Sequence, residues 1–376
     1  MTSVLIIGTG LIGTSIGLAI AGAAEGVWLS DADPVSARLA ADLGAGVVYD
    51  GSFPGGQPAD LAVLAVPPDA VAPMLASAQR DGLARFYTDV ASVKQSPVAR
   101  AIAAGCDMSV YVPGHPLSGR EKQGPAAARA DLFLGRTWAI CSTPWASAGA
   151  VEAAGWLVAA CGATLVTTDP ATHDRWVALT SHAPHVVAAA MAARLADAEP
   201  RALDLAGQGL RDVTRIAAGD TELWTQILAG NADPVADVLA EVAADLAEAA
   251  RLLAGDSVTP GSRIPDSRTP DSRTPDSRIK GIADLLDRGR AGVDRIPGKH
   301  GTVSPVFAQV QVVIKDQPGE LARLFDVAGA AGVNIEDIRI EHSPGLPAGV
   351  AELSVRPAET TALVQALRAA GWAVYS

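Results

Sequence analysis

Cysteine is scarce here: Cys106, Cys141 and Cys161 are scattered through 376 residues. An odd, dispersed set builds no disulfide framework, and the three read as small core residues of a reduced, cytoplasmic protein. No apolar run approaches the roughly 18 residues that a membrane-spanning helix needs. No basic segment precedes the first apolar stretch, and glycines break that stretch, so no secretory signal is expected. Basic residues are outnumbered, 29 Lys and Arg against 41 Asp and Glu, for a net charge of −12. That balance argues against nucleic acid and anionic membrane surfaces as partners. Lysine is missing altogether between Lys122 and Lys280. Hydrophobic residues, at 49 %, are plentiful. A chain of this length and composition supports two or three domains with substantial cores.

The most informative stretch is the first. Val4-Leu5-Ile6-Ile7 reads as a strand. It runs into Gly8-Thr9-Gly10-Leu11-Ile12-Gly13, after which apolar residues continue at helical spacing. Strand, glycine turn and helix form a dinucleotide-binding fingerprint: one glycine for the tight turn, one for close approach of a pyrophosphate, one for helix–strand packing. The helix N-terminus offers unpaired N–H groups and a partial positive charge to the phosphates. A second strand, Val27 to Ser30, ends in Asp31, placed to bond an adenosine ribose 2′-hydroxyl. No arginine stands directly beside it to receive a 2′-phosphate, which favours NAD over NADP. Val66, at the end of the apolar run Asp60 to Val66, joins the cofactor set by its place at a strand's carboxyl end.

Repeated β-α units carry the chain onward. Phe86 to Val90 is the next expected strand, and Ala91-Ser92-Val93-Lys94 opens a helix at the cofactor edge. Ser92 suits either a helix cap or a substrate contact. Pro113 and Pro116 bracket Gly114-His115, giving a stiff, extended loop suited to holding a base. From Asp169 the pattern is helical only. Pro184 should kink a long helix that begins near Thr172. His182 and His185 lie three apart on one face, which suits a substrate contact, a core or cap role, or half of a metal site, although no carboxylate follows at ligand spacing. Arg211 and Arg215, four apart, share a face. They await something anionic, or else form a solvated face or distant ion pairs. Residues 234–253 read as an amphipathic helix for a bundle core or dimer face.

Residues 255–278 hold three copies of a five-residue motif, the last being Thr274-Pro275-Asp276-Ser277-Arg278. With almost no apolar content they should be disordered. A short helix near residues 282–288 follows. The remainder reads as strand (308–314), helix (319–331), strand (333–340), strand (349–355), helix (360–370) and strand (372–375). That is the ferredoxin-like β-α-β-β-α-β plan.

Six blocks, in order, carry a resemblance: Gly8-x-Gly10-x-x-Gly13; Asp89-Val90-Ala91-Ser92-Val93-Lys94; Gly114-His115-Pro116-Leu117-x-Gly119-x-Glu121-x-x-Gly124; His173-Asp174; Ser181-His182-x-Pro184-His185; and Asp212-x-Thr214-Arg215-Ile216-Ala217 with Trp224. Through them, residues 1 to about 302 resemble the prephenate/arogenate dehydrogenase family of tyrosine biosynthesis. Residues 306–376 resemble an ACT domain through Asp316-Gln317-Pro318-Gly319-Glu320-Leu321 and Gly332-Val333-Asn334-Ile335. The implied organisation is an α/β Rossmann domain (1–168) and an all-helical substrate and dimerisation domain (169–254). A linker (255–304) then leads to a ferredoxin-like ACT regulatory domain (305–376).

The resemblance implies that His115 is the catalytic base, with Ser92 bonding the same substrate hydroxyl or the histidine. Arg215 would bind a substrate carboxylate, and His185 would line the pocket with His182 and Trp224. Glu121 would be a gating acid, with Arg211 as its suggested ion-pair partner. Gly319 and Asn334 would receive an amino-acid effector, L-tyrosine, the alternative being an ACT domain that only dimerises. Arg120 adds a positive charge beside the site, and the choice between prephenate and arogenate stays open. NAD would be the cofactor, a homodimer the assembly, and no metal is required. A β-hydroxyacid dehydrogenase would share the layout but uses a lysine in the helical half, where this chain has none. A non-catalytic NAD and amino-acid sensor would need neither His115 nor Arg215.

Overall fold

The computed structural model describes residues 2–118, 123–254, 275–296, 307–342 and 348–375. It divides into two compact units, residues 1–246 and 247–376.

The first unit begins with alternating strands and helices: β1 (Ser3–Ile7), α1 (Leu11–Ile20), β2 (Gly26–Ser30), α2 (Pro34–Asp42), β3 (Val47–Val48), β4 (Ala59–Leu64), α3 (Pro68–Arg80), β5 (Ala84–Asp89), α4 (Gln95–Ala103) and β6 (Tyr111–Val112). All pairings among these strands are parallel. Their order is β3-β2-β1-β4-β5-β6, the Rossmann arrangement, in which the order of strand addition switches sides between β1 and β4. Leu61, Ala62, Val63 and Leu64 are all fully buried, because helices cover both faces of a parallel sheet. One face packs Ile16, Ile20 and Leu157, and the other packs Leu75, Tyr87 and Tyr111.

A second sheet, β7 (Gly114–Pro116), β8 (Thr137–Cys141) and β9 (Thr164–Thr168), follows, with α5 (Ala148–Ala160) between its last two strands. Here the stiff proline-bracketed stretch differs from expectation. It is a strand, with His115 opposite Ala139 in an antiparallel pair with β8. Extended φ/ψ imposed by the prolines suits a short ladder as well as a loop.

The helical part holds α6 (Pro170–Val177), α7 (Ala183–Ala193), α8 (Pro200–Leu203), α9 (Gln208–Thr214), α10 (Thr221–Gly230) and α11 (Ala232–Ala254). Asp169 caps α6 by accepting the Thr172 N–H at 2.9 Å. Pro184 does more than bend the chain. Ala178–His182 forms a single π-turn in which the Ala183 N–H reaches back to the Ala178 carbonyl. The helix absorbs the missing proline donor by widening by one residue, a device common at functional sites.

The second unit contains α12 (Pro275–Val293), then β10 (Ala308–Lys315), α13 (Glu320–Ala330), β11 (Asp337–His342), β12 (Ala348–Val355), α14 (Thr360–Ala369) and β13 (Ala373–Tyr375). The short helix expected near 282–288 is thus nineteen residues long. It takes in the last repeat from Pro275, a residue suited to the first helical position. The rest of the repeat lies outside the described residues. The final elements follow the β-α-β-β-α-β order, with an antiparallel sheet β11-β12-β10-β13. Residues along β10 alternate between buried and exposed, so one face packs on Leu324, Leu363 and Leu367 and the other is open. β11 starts at Asp337, four residues later than its apolar run suggests.

Candidate active site

The glycine turn sits where the strand order of the sheet switches sides, between β1 and β4. A Cβ at Gly8, whose φ is +100°, would lie 2.2 Å from the Ala65 carbonyl oxygen, and one at Gly13 only 1.9 Å from the Gly8 carbonyl oxygen. These two glycines are required by the protein's own backbone. Gly10 is different: a Cβ there would meet nothing within 4 Å. The protein leaves that space open, as an approaching pyrophosphate requires. Helix α1 begins with no side-chain cap, so its first N–H groups face the same opening, beside Leu11 and Ile12. Val66 is half-buried against Gly8.

Asp31 follows β2 and is held from three directions. Its Oδ2 accepts the Thr9 N–H (2.6 Å) and the Thr9 hydroxyl (2.9 Å), and its Oδ1 accepts the Asp33 N–H (2.8 Å). Thr9 is fully buried, so its part is to hold this carboxylate. A carboxylate has about four acceptor positions, and three are used. The half-exposed remainder fits a ribose hydroxyl. These residues fit a dinucleotide.

The second cluster joins the strand half of the unit to its helices. His115 Nδ1 lies 2.9 Å from His173 Nε2, and His173 Nδ1 lies 2.8 Å from Asp174 Oδ1. Asp174 Oδ1 also accepts the Lys94 N–H, and its Oδ2 the Gln95 N–H, both at 2.8 Å. Asp174 therefore caps α4 from another helix. This corrects one reading of Ser92. The helix starts at Gln95, its cap position is Lys94 without a side-chain bond of its own, and Ser92 is half-buried just upstream. The Lys94 ammonium is fully buried, paired with Asp89 and donating to the Gly114 carbonyl at 2.5 Å. Asp89 also accepts the Tyr111 hydroxyl at 2.6 Å. Lys94 thus acts beneath the surface, fixing the strand that carries His115.

The chain of polar contacts continues into the helices. Asn231 donates to the Asp174 carbonyl (2.8 Å) and lies 3.0 Å from His182 Nδ1. His182 meets Trp224 edge-on, with centroids 6.0 Å apart, and His185 stacks flat on Trp224 at 3.6 Å. Arg215 starts a 3-10 turn (Arg215–Ala218) that packs against α7, the helix of His185. Arg211 lies on α9, which packs against α7 as well. Both arginines are exposed. Glu121, and with it the suggested pairing with Arg211, lies outside the described residues. Burial pushes the His182 imidazole down to about 4, and lowers His185 too. His115 is held well below the usual histidine range, first by desolvation and then by His173 and the Lys94 charge. All three therefore stay neutral at pH 7. Among the described residues, no group of three His, Cys, Asp or Glu side chains is placed to hold a metal ion. No described helix is long and apolar enough to cross a membrane.

The structure thus brings together His115, His182, His185 and Trp224, and adds three residues that residue-by-residue reading left without a role: His173, Asp174 and Asn231. The His173-Asp174 pair stood in the motif. Its partners lie 58 and 80 positions away, a distance that no local pattern bridges.

Family models for the prephenate dehydrogenase nucleotide-binding domain and dimerization domain match residues 17–167 and 169–259. The chain is 40 % identical over 374 residues to a probable prephenate dehydrogenase, NovF, of Streptomyces niveus, covering 99 % of both chains. The chain belongs to the prephenate dehydrogenase family. It is an NAD-dependent dehydrogenase with a Rossmann domain and a helical dimerization domain. Prephenate dehydrogenase from Bacillus subtilis is 28 % identical over 346 residues, 90 % of this chain and 88 % of that one. The fold matches prephenate dehydrogenase from Aquifex aeolicus, solved with hydroxyphenyl propionate and NAD+. That match has a TM-score of 0.64 at 22 % identity, over 78 % of this chain and 99 % of the other.

Proposed function

We propose that the chain oxidatively decarboxylates prephenate to 4-hydroxyphenylpyruvate with NAD+, the reaction that supplies the tyrosine skeleton, and that His115 is its base. The observation that carries this reading is the bond between His115, on the strand half, and His173, on the helical half. It joins the nucleotide-binding part to the helices bearing His185 and Arg215.

Prephenate carries a hydroxyl at ring C4 and a carboxylate on the opposite ring carbon. Gly8–Gly13 and Asp31 would hold NAD+, which when bound supplies the acceptor for the hydride that leaves C4. His115 takes the hydroxyl proton as the C4 carbonyl forms. The carbonyl is conjugated to the carbon bearing the carboxylate, so CO2 leaves with its bonding electrons drawn into the ring, which becomes aromatic. A neutral imidazole is needed, and burial of His115 favours that form. Ser92 bonds the same hydroxyl or the histidine. Arg215 receives a substrate carboxylate as a charge-assisted pair. His182, His185 and Trp224 line the ring's pocket, and Glu121 gates it. The site of action is the cytoplasm, in keeping with three scattered free cysteines.

Two copies pair through the helical half, which exposes Trp176, Leu179, Leu205 and Val213. The β-α-β-β-α-β unit is an ACT domain that binds L-tyrosine. Gly319, at φ +86°, starts α13 with no side-chain cap, leaving N–H groups for a carboxylate. Asn334 gives its amide N–H to Glu336 (2.7 Å) and keeps its oxygen for an ammonium group. Inhibition by saturating tyrosine tests this, and full activity would end it.

The deciding assay follows NADH formation from prephenate and from arogenate, each with NAD+ and NADP+. Prephenate with NAD+ is expected to turn over fastest. No NADH from prephenate would refute the reading.

A further inference from the structure

We infer that His173 and Asp174 form a positioning relay that locks His115 in one tautomer, with the proton on Nδ1 and the free lone pair on Nε2. The inference rests on the reading of His115 as the base, but its first consequence can be measured without catalysis.

Asp174 is fully buried. Each of its oxygens already accepts a backbone N–H, from Lys94 and Gln95. Backbone amides only donate, so the carboxylate must present lone pairs to them. Its third partner, His173 Nδ1, must then donate. A neutral imidazole with its proton on Nδ1 has a bare lone pair on Nε2. That nitrogen faces His115 Nδ1 at 2.9 Å, so His115 Nδ1 must carry the proton and donate it. The only lone pair left on His115 is on Nε2, on the far side of the ring. A base needs that lone pair fixed in place, because a histidine free to change tautomer is in the wrong form part of the time.

The relay has rigid footings. Asp174 is fixed by the first turn of α4 and by the Asn231 amide on its carbonyl. The same α4 entry carries Lys94, whose ammonium pairs with Asp89 and holds the Gly114 carbonyl next to His115. One carboxylate therefore ties the imidazole to the end of β5, where Ser92 sits. The titratable and charged groups around His115 are His173 and Asp174 from α6, His182 from the π-turn, Lys94 at the start of α4, and Asp89 at the end of β5. Of these, Asp174 reaches His115 through a continuous hydrogen-bonded path.

Two measurements test the relay in the full chain. The first is 15N NMR of protein labelled at its six histidines, with His115 assigned by the signals missing in His115→Asn. The relay requires the Nδ1-protonated tautomer for His115 at pH 7.5. The Nε2-protonated form, or an averaged shift, overturns it whatever the enzyme's activity.

The second compares His173→Leu, which removes the acceptor but leaves the α4 cap, with His173→Gln, whose side-chain oxygen can stand near the Nε2 position. His173→Leu should lose about a hundredfold in kcat, the scale of a misplaced catalytic group, with KM for prephenate and NAD+ within about twofold. His173→Gln should recover at least about tenfold of that loss. In both, the acid limb of kcat/KM should move, because the His173 ring that helps set the His115 pKa is gone. Wild-type kcat in His173→Leu, or equal loss in both variants with an unmoved acid limb, would show that His173 only fills space. If neither variant folds, the NMR result alone decides. If His115→Asn keeps the wild-type rate, the catalytic reading fails, while the tautomer result still stands or falls by itself.

Discussion

His185 lies flat on Trp224, with ring centroids 3.6 Å apart and planes 12° apart. The stack rests on a glycine. A Cβ at Gly219 would come within 2.5 Å of Trp224 Nε1 and 2.8 Å of His185 Cε1. Gly219 has an ordinary extended backbone, so Gly219→Ala adds only a steric clash. Overpacking of this kind costs about 1–3 kcal/mol. Denaturant unfolding should show that loss. KM for prephenate should rise as the two rings part, while KM for NAD+ should hold.

Asp31 spends three acceptor positions on Thr9 and Asp33, and the proposed ribose contact would use the rest. A 2′-phosphate there would meet a carboxylate. Asp31→Asn removes the charge while keeping most of the shape. Hydrogen bonds to a charged group contribute about 1.5–3 kcal/mol, so KM for NAD+ should rise about tenfold or more. KM for NADP+ should change far less or fall. Steady-state kinetics with both cofactors check this, and an equal rise for both would mean that Asp31 only holds the glycine turn.

Much of this was legible in the chain itself. The glycine turn, Asp31 and the apolar β4 run follow from local chemistry. So does the alternation along β10, because the side chains involved answer to neighbours within a few residues. What could not be read was what crosses the fold. Lys94 stands at the cofactor edge in sequence, yet its ammonium is buried against Asp89 and Gly114. Ser92 looks like a cap, but the cap comes from Asp174, eighty residues beyond Lys94. Pro184 announces a kink, and a π-turn is one of several ways a helix can respond to a lost donor. The prolines around His115 announce extended backbone. Whether that becomes loop or strand depended on β8, which begins only at Thr137.

Lys94 and Asp89 form a fully buried pair, and Asp89 also holds the Tyr111 hydroxyl. Burial and the Asp89 charge keep that phenol protonated, well above its ordinary range. Lys94→Met leaves the carboxylate buried without its countercharge, which costs about 3–5 kcal/mol. Lys94→Met with Asp89→Asn should recover most of that, since the charge is gone and the Tyr111 hydroxyl can turn to accept from the amide. Thermal unfolding of the two variants tests the pair. Equal destabilisation in both would mean that the ammonium's bond to Gly114, rather than the charge, matters most.

Replacing His115 and Arg215 separates chemistry from binding. His115→Asn removes the proposed base and should cost about 10²–10⁴ in kcat, with KM little changed. Arg215→Ala should mainly raise KM for prephenate, since the carboxylate is bound in ground and transition state alike. Wild-type kinetics in both would dismantle the proposed site.

The histidines also set a pH dependence for stability. His182 is buried, and its imidazole is pushed from 6.5 to about 4, first by desolvation. A histidine with a depressed folded pKa binds its proton more readily when unfolded. Between about pH 6.5 and 4 the unfolded chain therefore holds more protons, and stability falls as pH falls through that window. Above pH 6.5 the contribution is complete. At about 1.4 kcal/mol per pH unit, His182 alone accounts for roughly 3 kcal/mol across the window. His115 and His185 are lowered in the same direction and steepen the fall. Unfolding free energy should thus level off near pH 7 and drop on acidification. In His182→Gln, whose amide does not titrate, the drop should be shallower, and an unchanged slope would mean that His182 titrates normally in the folded chain.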